Sequence, residues 1–184
     1  MVLHPPNFPE SSCSEEHEKI ITSYSSSSST PQWKYDAFLN FYGKDTRTSF
    51  TDHLYVDLKR NVILVFRDDE TLKRGEYISQ ALPKEIQESQ IAIVIFSTNY
   101  ASSRWCLMEL AKIVEWEEKT ELTIFPIFYC VDPSNVRNQT GYFAEALAAH
   151  EEDPNIDVEK IRMGRAALRK VGSIVGWHIH DRYE

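Results

Sequence analysis

The chain predicts a doubly wound α/β domain built on a five-stranded parallel sheet. Three observations carry this. Apolar runs such as NVILVF, IAIVIF and LTIFPIFYC lack the polar alternation of a half-exposed strand, so both faces of the sheet are covered. Stretches with helical spacing separate these runs, which is the rhythm of parallel sheets. At 184 residues the chain fits one domain plus a tail.

The tail comes first. Residues 1–30 hold nine serines, three prolines and one lysine against four acidic residues. Such a segment has too little apolar surface to offset the entropy of ordering, so 1–32 reads as a disordered leader and 33–184 as the domain. Lys34 to Phe41 reads as the first strand, followed by a loop, Tyr42 to Lys44. Asp45 or Thr46 is placed to cap a helix carrying Phe50, Leu54 and Leu58 every fourth residue. Asn61 to Phe66 reads as the second strand, and Arg67 to Gly75 as a charged loop ending in a permissive glycine. A second helix spans about Ile78 to Ser89. Its regular part is expected to start at Pro83, which lacks the N–H that a helix interior needs. Ile91 to Phe96 is the third strand and Leu122 to Cys130 the fourth, where Pro126 argues against an unbroken ladder. After the turn-forming VDPSN come helices around Tyr142 to His150 and about Asp157 to Gly172, and then a short fifth strand, Gly176 to His180.

Between the third and fourth strands, YASSRWCLMEL (Tyr100 to Leu110) opens the clearest amphipathic helix, with Ser102 or Ser103 as its N-cap. Leu107, Leu110, Ala111 and Val114 follow the spacing of a buried stripe. Trp105 and Glu109 are four apart, so they share a face one turn apart, and the stripe does not explain them. Two readings stay open on pattern alone: a boundary tryptophan beside a solvated glutamate, or an aromatic–carboxylate pair in a site.

Bulk properties exclude several functions. A net charge of −8 argues against non-specific binding to nucleic-acid backbones. Three cysteines without CxxC spacing give no zinc pattern and point to a reducing, intracellular compartment. No metal site is expected, because His178 and His180 alternate without a third ligand. No run reaches the roughly 20 apolar residues of a membrane span, and the first residues lack the apolar core of a signal peptide.

Five strands in this rhythm make the domain flavodoxin-like. Ligands in such folds lie beyond the carboxyl ends of the strands, at the switch in strand order. That brings Arg47, Arg67, Arg74, Trp105 and Glu109 towards one crevice.

In YDAFLNFYGKDTRTSFTDHLY, VFRDDETLKRGEYIS, EIQESQIAIVIFSTNYASSRWCLMEL, PIFYCVDPSNVRNQTGYFAEAL and KVGSIVGWHI, the chain resembles the Toll/interleukin-1 receptor (TIR) domains of plant intracellular immune receptors. The resemblance covers roughly residues 33 to 180 in the family's order. It implies the flavodoxin-like fold, association with other TIR domains, and cleavage of NAD⁺ or NADP⁺ to nicotinamide and ADP-ribose-type signals that trigger defence and cell death. By motif position Glu109 is the catalytic residue. Trp105 lines the nicotinamide-ribose side, with Ser103 beside it. Arg47 and Arg67 face phosphate or ribose, and Phe41, Tyr42 and Gly43 form the pocket wall. The charged loop matches the family's BB loop, so Lys73, Arg74 and Gly75 contact a neighbouring subunit, and His53 lies on a further self-association surface. The resemblance implies no tightly bound cofactor, NAD⁺ or NADP⁺ being substrate. It also implies a cytoplasmic protein, with the nucleus as a second compartment.

A single carboxylate suits this chemistry. Breaking an N-glycosidic bond builds oxocarbenium character on the ribose, while the cationic nicotinamide departs neutral and needs no general acid. Two departures stand out. Where the family commonly has SFRG, this chain has Asn40, Phe41, Tyr42 and Gly43, so an arginine beside the substrate is a tyrosine, which cannot neutralise phosphate. The chain also stops at Glu184, where the resemblance implies a last helix. The alternative reading is therefore a catalytically weak or inactive TIR module that acts only through association.

Overall fold

Five parallel strands form the sheet: β1 (Tyr35–Phe41), β2 (Val65–Phe66), β3 (Ser89–Phe96), β4 (Thr123–Tyr129) and β5 (Trp177–Ile179). They pair in the order β2-β1-β3-β4-β5, so the order switches between β1 and β3, as the flavodoxin-like expectation requires. A computed structural model describes residues 33–67 and 78–180, those of 78–82 by backbone alone. These belong to the unit Trp33–Glu184; the expected leader, in the unit Met1–Gln32, lies outside the described residues.

Side chains alternate across the sheet with the two-residue period of a strand. Ala37, Leu39 and Phe41 of β1 join Ile95 on the face covered by helix α2 (Phe50–Arg60), through Leu54, Tyr55 and Leu58. Phe38 joins Ala92, Val94 and Phe96 on the other face. That face packs against α3 (Ile78–Gln87) through Ile86, against α4 (Arg104–Glu117) through Leu107, Leu110 and Ile113, and against α6 (Tyr142–Glu152) and α7 (Val158–Val171). Both apolar faces of β1 and β3 are thus buried, which is why their runs carry no polar alternation.

Four expectations are corrected. The second strand is only Val65–Phe66, because α2 runs on to Arg60 and the chain then closes a C-terminal cap. Val62 N–H donates to the Lys59 carbonyl and Ile63 N–H to the Leu58 carbonyl, the paired bonds of a Schellman cap, which forces Val62 to φ +62°. Neither Asp45 nor Thr46 caps α2; they lie in a short helix α1 (Gly43–Thr46), and Ser49 sits at the α2 N-terminus with its Oγ donating back to the Thr46 carbonyl rather than accepting from a helix N–H. Pro83 lies inside α3, whose backbone starts at Ile78, so the helix continues at the loss of one hydrogen bond. Pro126 does not interrupt β4, because β5 pairs only from Ile127 onward and the missing donor falls before the first rung.

Besides α1, the structure adds a helix α5 (Pro133–Asn138), capped by Asp132, whose carboxylate accepts from Ser134 N–H with Pro133 in the first turn. No described helix is long and apolar enough to cross a membrane.

Candidate functional site

The carboxyl ends of β1 and β3 open the crevice. β1 runs through Phe41 into Tyr42 and α1, and β3 runs through Ser97 into a short 3₁₀ turn, Tyr100–Ser102, that feeds α4. Asp45 ties the two segments together: its carboxylate accepts from Asn99 N–H at 2.9 Å and from Asn99 Nδ2 at 3.1 Å. Ser103 is the α4 N-cap, its Oγ accepting from Cys106 N–H at 3.2 Å, so the serine is committed to starting the helix.

Glu109 projects from the second turn of α4 towards β1. Asn40 Nδ2 donates to Glu109 Oε2 at 2.7 Å, and the Tyr100 hydroxyl donates to Asn40 Oδ1. Asn40 and Tyr100 are both fully buried. Burial pushes the Tyr100 hydroxyl well above the usual tyrosine range, and the nearby Cys106 and Glu109 add to the rise, so the phenol stays a neutral donor. Asn40 is the polar member of the buried stretch Ala37–Phe41 of β1, and the carboxylate accounts for it.

Three cavities border Trp105, and two of them reach Glu109 or the end of β1. One, of about 350 Å³, lies between α3, α4 and α7; it holds Glu109 among Trp105, Met108, Pro83, Ile86 and Met163, with Lys112 and Lys160 at its border. The other, of about 380 Å³, lies over the end of β1 and is lined by Phe41, Tyr42, Gly43, Lys44, Arg47 and Ser103. The first offers apolar surface around one carboxylate; the second offers two cations. The Arg47 guanidinium lies over the Phe41 ring, 4.9 Å from its centroid, and a Cβ at Gly43 would come within 2.7 Å of Arg47 Nε, so the glycine leaves room for the arginine.

Residues 34–184 match the family described as TIR domain. The chain belongs to that family. It is 52% identical over 165 residues to disease resistance protein RPV1 of Vitis rotundifolia, covering 87% of this chain and 12% of that protein. It is 51% identical over 151 residues to TMV resistance protein N of Nicotiana glutinosa, covering 82% of this chain and 13% of that protein. The chain thus spans about one eighth of the length of these curated relatives. Among solved structures it is similar to the TIR domains of the activated Roq1 resistosome, which directly recognises the pathogen effector XopQ. That match has a TM-score of 0.74 and 49% identity over 79% of this chain and 87% of that one.

Within this TIR domain the expected site residues Phe41, Tyr42, Gly43, Arg47, Ser103, Trp105 and Glu109 do line the two adjoining cavities. Arg67 does not. It is 5% exposed on the α2 side of the sheet, donating to Asp52 Oδ1 at 2.9 Å and stacking 4.2 Å from the centroid of the Tyr55 ring, so burial against α2 replaces the expected crevice position. His53 is exposed on α2, as a surface residue must be to meet a partner. Lys73, Arg74 and Gly75 lie outside the described residues. Sequence reasoning missed Asn40, Tyr100 and Lys44. An asparagine between Leu39 and Phe41 was a usable signal for the first; nothing local marks the pairing of residues 69 positions apart. Among the described residues no group of three His, Cys, Asp or Glu converges as a metal site.

Proposed function

We propose that this TIR domain is the signalling module of a plant disease-resistance receptor and, on association with other TIR domains in the cytoplasm, hydrolyses NAD⁺ or NADP⁺ at the nicotinamide N-glycosidic bond. The observation that carries the reading is Glu109: a carboxylate held by a buried amide, at the edge of an apolar cavity beside an indole. The apolar chamber suits the nicotinamide and the face of its ribose. Arg47 and Lys44 in the adjoining chamber suit the pyrophosphate.

In the reaction, the C–N bond breaks with its electron pair leaving on nicotinamide, which becomes neutral. The ribose carries the positive charge, and Glu109 stabilises it while water adds to the anomeric carbon and loses a proton. The products are nicotinamide, an ADP-ribose and one proton. The hydrogen bond from Asn40 favours the ionised carboxylate that this role needs. A carboxylate about 4 Å from the developing cation, at an effective dielectric constant of about 20, contributes about 4 kcal/mol, roughly a thousandfold in rate.

The test is nicotinamide release by wild type and Glu109→Gln, which keeps the side chain's shape and its bond from Asn40. Wild type is expected to turn over, with a specific rate that rises with protein concentration, and Glu109→Gln to fall about a thousandfold. Equal rates for the two would end the hydrolytic reading. Tyr42, where a family arginine is expected, favours the second reading, a module that signals by association alone. Under that reading wild type is silent at every concentration.

A further inference from the structure

We propose that a third chamber, between the first turns of α4 and α7, is an adenosine subsite in which Arg104 and Lys160 hold a 2′-phosphate, so that the domain prefers NADP⁺ to NAD⁺. The inference rests on the hydrolytic reading for its kinetic consequence; the binding it implies is measured without turnover.

At about 520 Å³ the chamber is the largest of the three at Trp105 and falls in the size range of small-molecule sites. Arg104, Asn155, Ile156 and Lys160 line it, and the buried Leu107 and Ile161 give it an apolar base for a purine. It shares Ser103 and Trp105 with the chamber over the end of β1, and Trp105, Met108 and Lys160 with the chamber that holds Glu109. A dinucleotide with its nicotinamide riboside beside Glu109 and its diphosphate beside Arg47 thus has its adenosine end free to enter across Ser103.

Charge selects what the chamber accepts. On the same two helices Lys112, Arg162, Arg165 and Lys170 each pair with a carboxylate at 2.7–2.9 Å. Among the described residues the Arg104 and Lys160 side chains form no hydrogen bond or ion pair; Arg169 of α7 shares that state but lines none of the three chambers. The acids nearby are engaged elsewhere. Asp157, the one carboxylate that lines the chamber, caps α7 by accepting from Glu159 N–H at 3.0 Å. Asp153 feels the field of Arg104 without pairing with it and accepts from Asn155 N–H at 2.9 Å. In a chain of net charge −8, two cations left without a carboxylate at one cleft suit a multiply charged anion. NADP⁺ brings a phosphate there, whereas the neutral 2′-hydroxyl of NAD⁺ leaves both cations without a counter-charge.

The experiment titrates the full chain calorimetrically with adenosine 2′-monophosphate, adenosine and inorganic phosphate. Both cations are exposed, so each contact is set at the low end for a charged hydrogen bond, about tenfold in affinity. The wild type is expected to bind adenosine 2′-monophosphate about a hundredfold more tightly than adenosine. Arg104→Gln and Lys160→Gln should each cut that ratio about tenfold, and the double variant should bring it near one. Equal affinities in the wild type, or a ratio that survives in the double variant, overturn the subsite. Inorganic phosphate binding as tightly as the nucleotide overturns it too, because the cleft would then read the anion and not the adenosine. The kcat/KM for nicotinamide release from NADP⁺, relative to NAD⁺, should fall in step across the same variants, and equal values in the wild type overturn the preference. Discriminating binding with no release from either dinucleotide would uphold the subsite and reject the hydrolase; release from both with undiscriminating binding would do the reverse.

Discussion

Gly43→Ala separates the architecture of the crevice from its chemistry. A Cβ at position 43 meets Arg47 Nε at 2.7 Å, Nη2 at 2.8 Å and Cζ at 3.2 Å. Ordinary contact needs about 3.5–4.0 Å, so the guanidinium must retreat by about 1 Å. All three atoms belong to the far end of a long side chain, and the Gly43 backbone is not left-handed. The fold therefore bears little strain, and replacing glycine in the first residue of α1 trims unfolded-state entropy, a gain of about 0.4–1 kcal/mol. The Arg47 guanidinium, in contrast, leaves its place over Phe41. If it holds a phosphate there, losing a charge-assisted bond of about 1.5–3 kcal/mol raises KM roughly ten- to a hundredfold. Steady-state nicotinamide release against NAD⁺ concentration, paired with a thermal melt, reads both quantities. A Gly43→Ala protein with wild-type KM, alongside an Arg47→Ala protein with raised KM, would show that the close approach at Gly43 is irrelevant to binding. A lower Tm would show that the strain falls on the backbone.

Further outcomes follow from other sites. Val62 holds a left-handed cap with its side chain 84% exposed, so Val62→Gly is expected to gain about 1 kcal/mol and raise Tm by about 2–4 °C in a thermal melt, with a lower Tm counting against the strain. Tyr42→Arg adds a cation to the chamber already lined by Lys44 and Arg47 and is expected to lower KM for NAD⁺ roughly tenfold; an unchanged KM means that position 42 does not reach the pyrophosphate. Hydrogen bonds from Lys112 and then Lys119 hold the Glu115 carboxyl down at about 2. Because the folded value lies below the unfolded one, its contribution is complete above about pH 4.5 and fades as pH falls towards 2. Glu115 is partly exposed and its pairs are screened by solvent, so Glu115→Gln should cost less than about 1 kcal/mol at pH 7 and flatten the acid fall of urea-denaturation stability in that window. An equally steep fall in the variant would assign the acid sensitivity elsewhere.

The strands were legible where burial on both faces left only apolar residues, as in Ile91 to Phe96. NVILVF misled because its first half is a helix cap: Val62 and Ile63 look like strand residues, but their bonds to Lys59 and Leu58 outweigh β-propensity. The Asp132–Pro133 pair carried a helix-start signature that the turn reading of VDPSN absorbed. At the site, Ser103, Trp105 and Glu109 were readable because they sit within about two helical turns of each other. The grip of Asn40 on Glu109 spans two elements, and the turn of Arg67 towards Asp52 depends on which face of the sheet α2 covers. Periodicity within one segment holds no information on either.

The indole of Trp105 stands as the common wall of both chambers. On the hydrolytic reading proposed above, a dinucleotide straddles it, with its base and its diphosphate in separate rooms, whereas nicotinamide or a free nucleotide fills one. Fragments of the substrate are then expected to be poor competitors individually and to tolerate each other when mixed, a signature that displacement titrations read without any turnover.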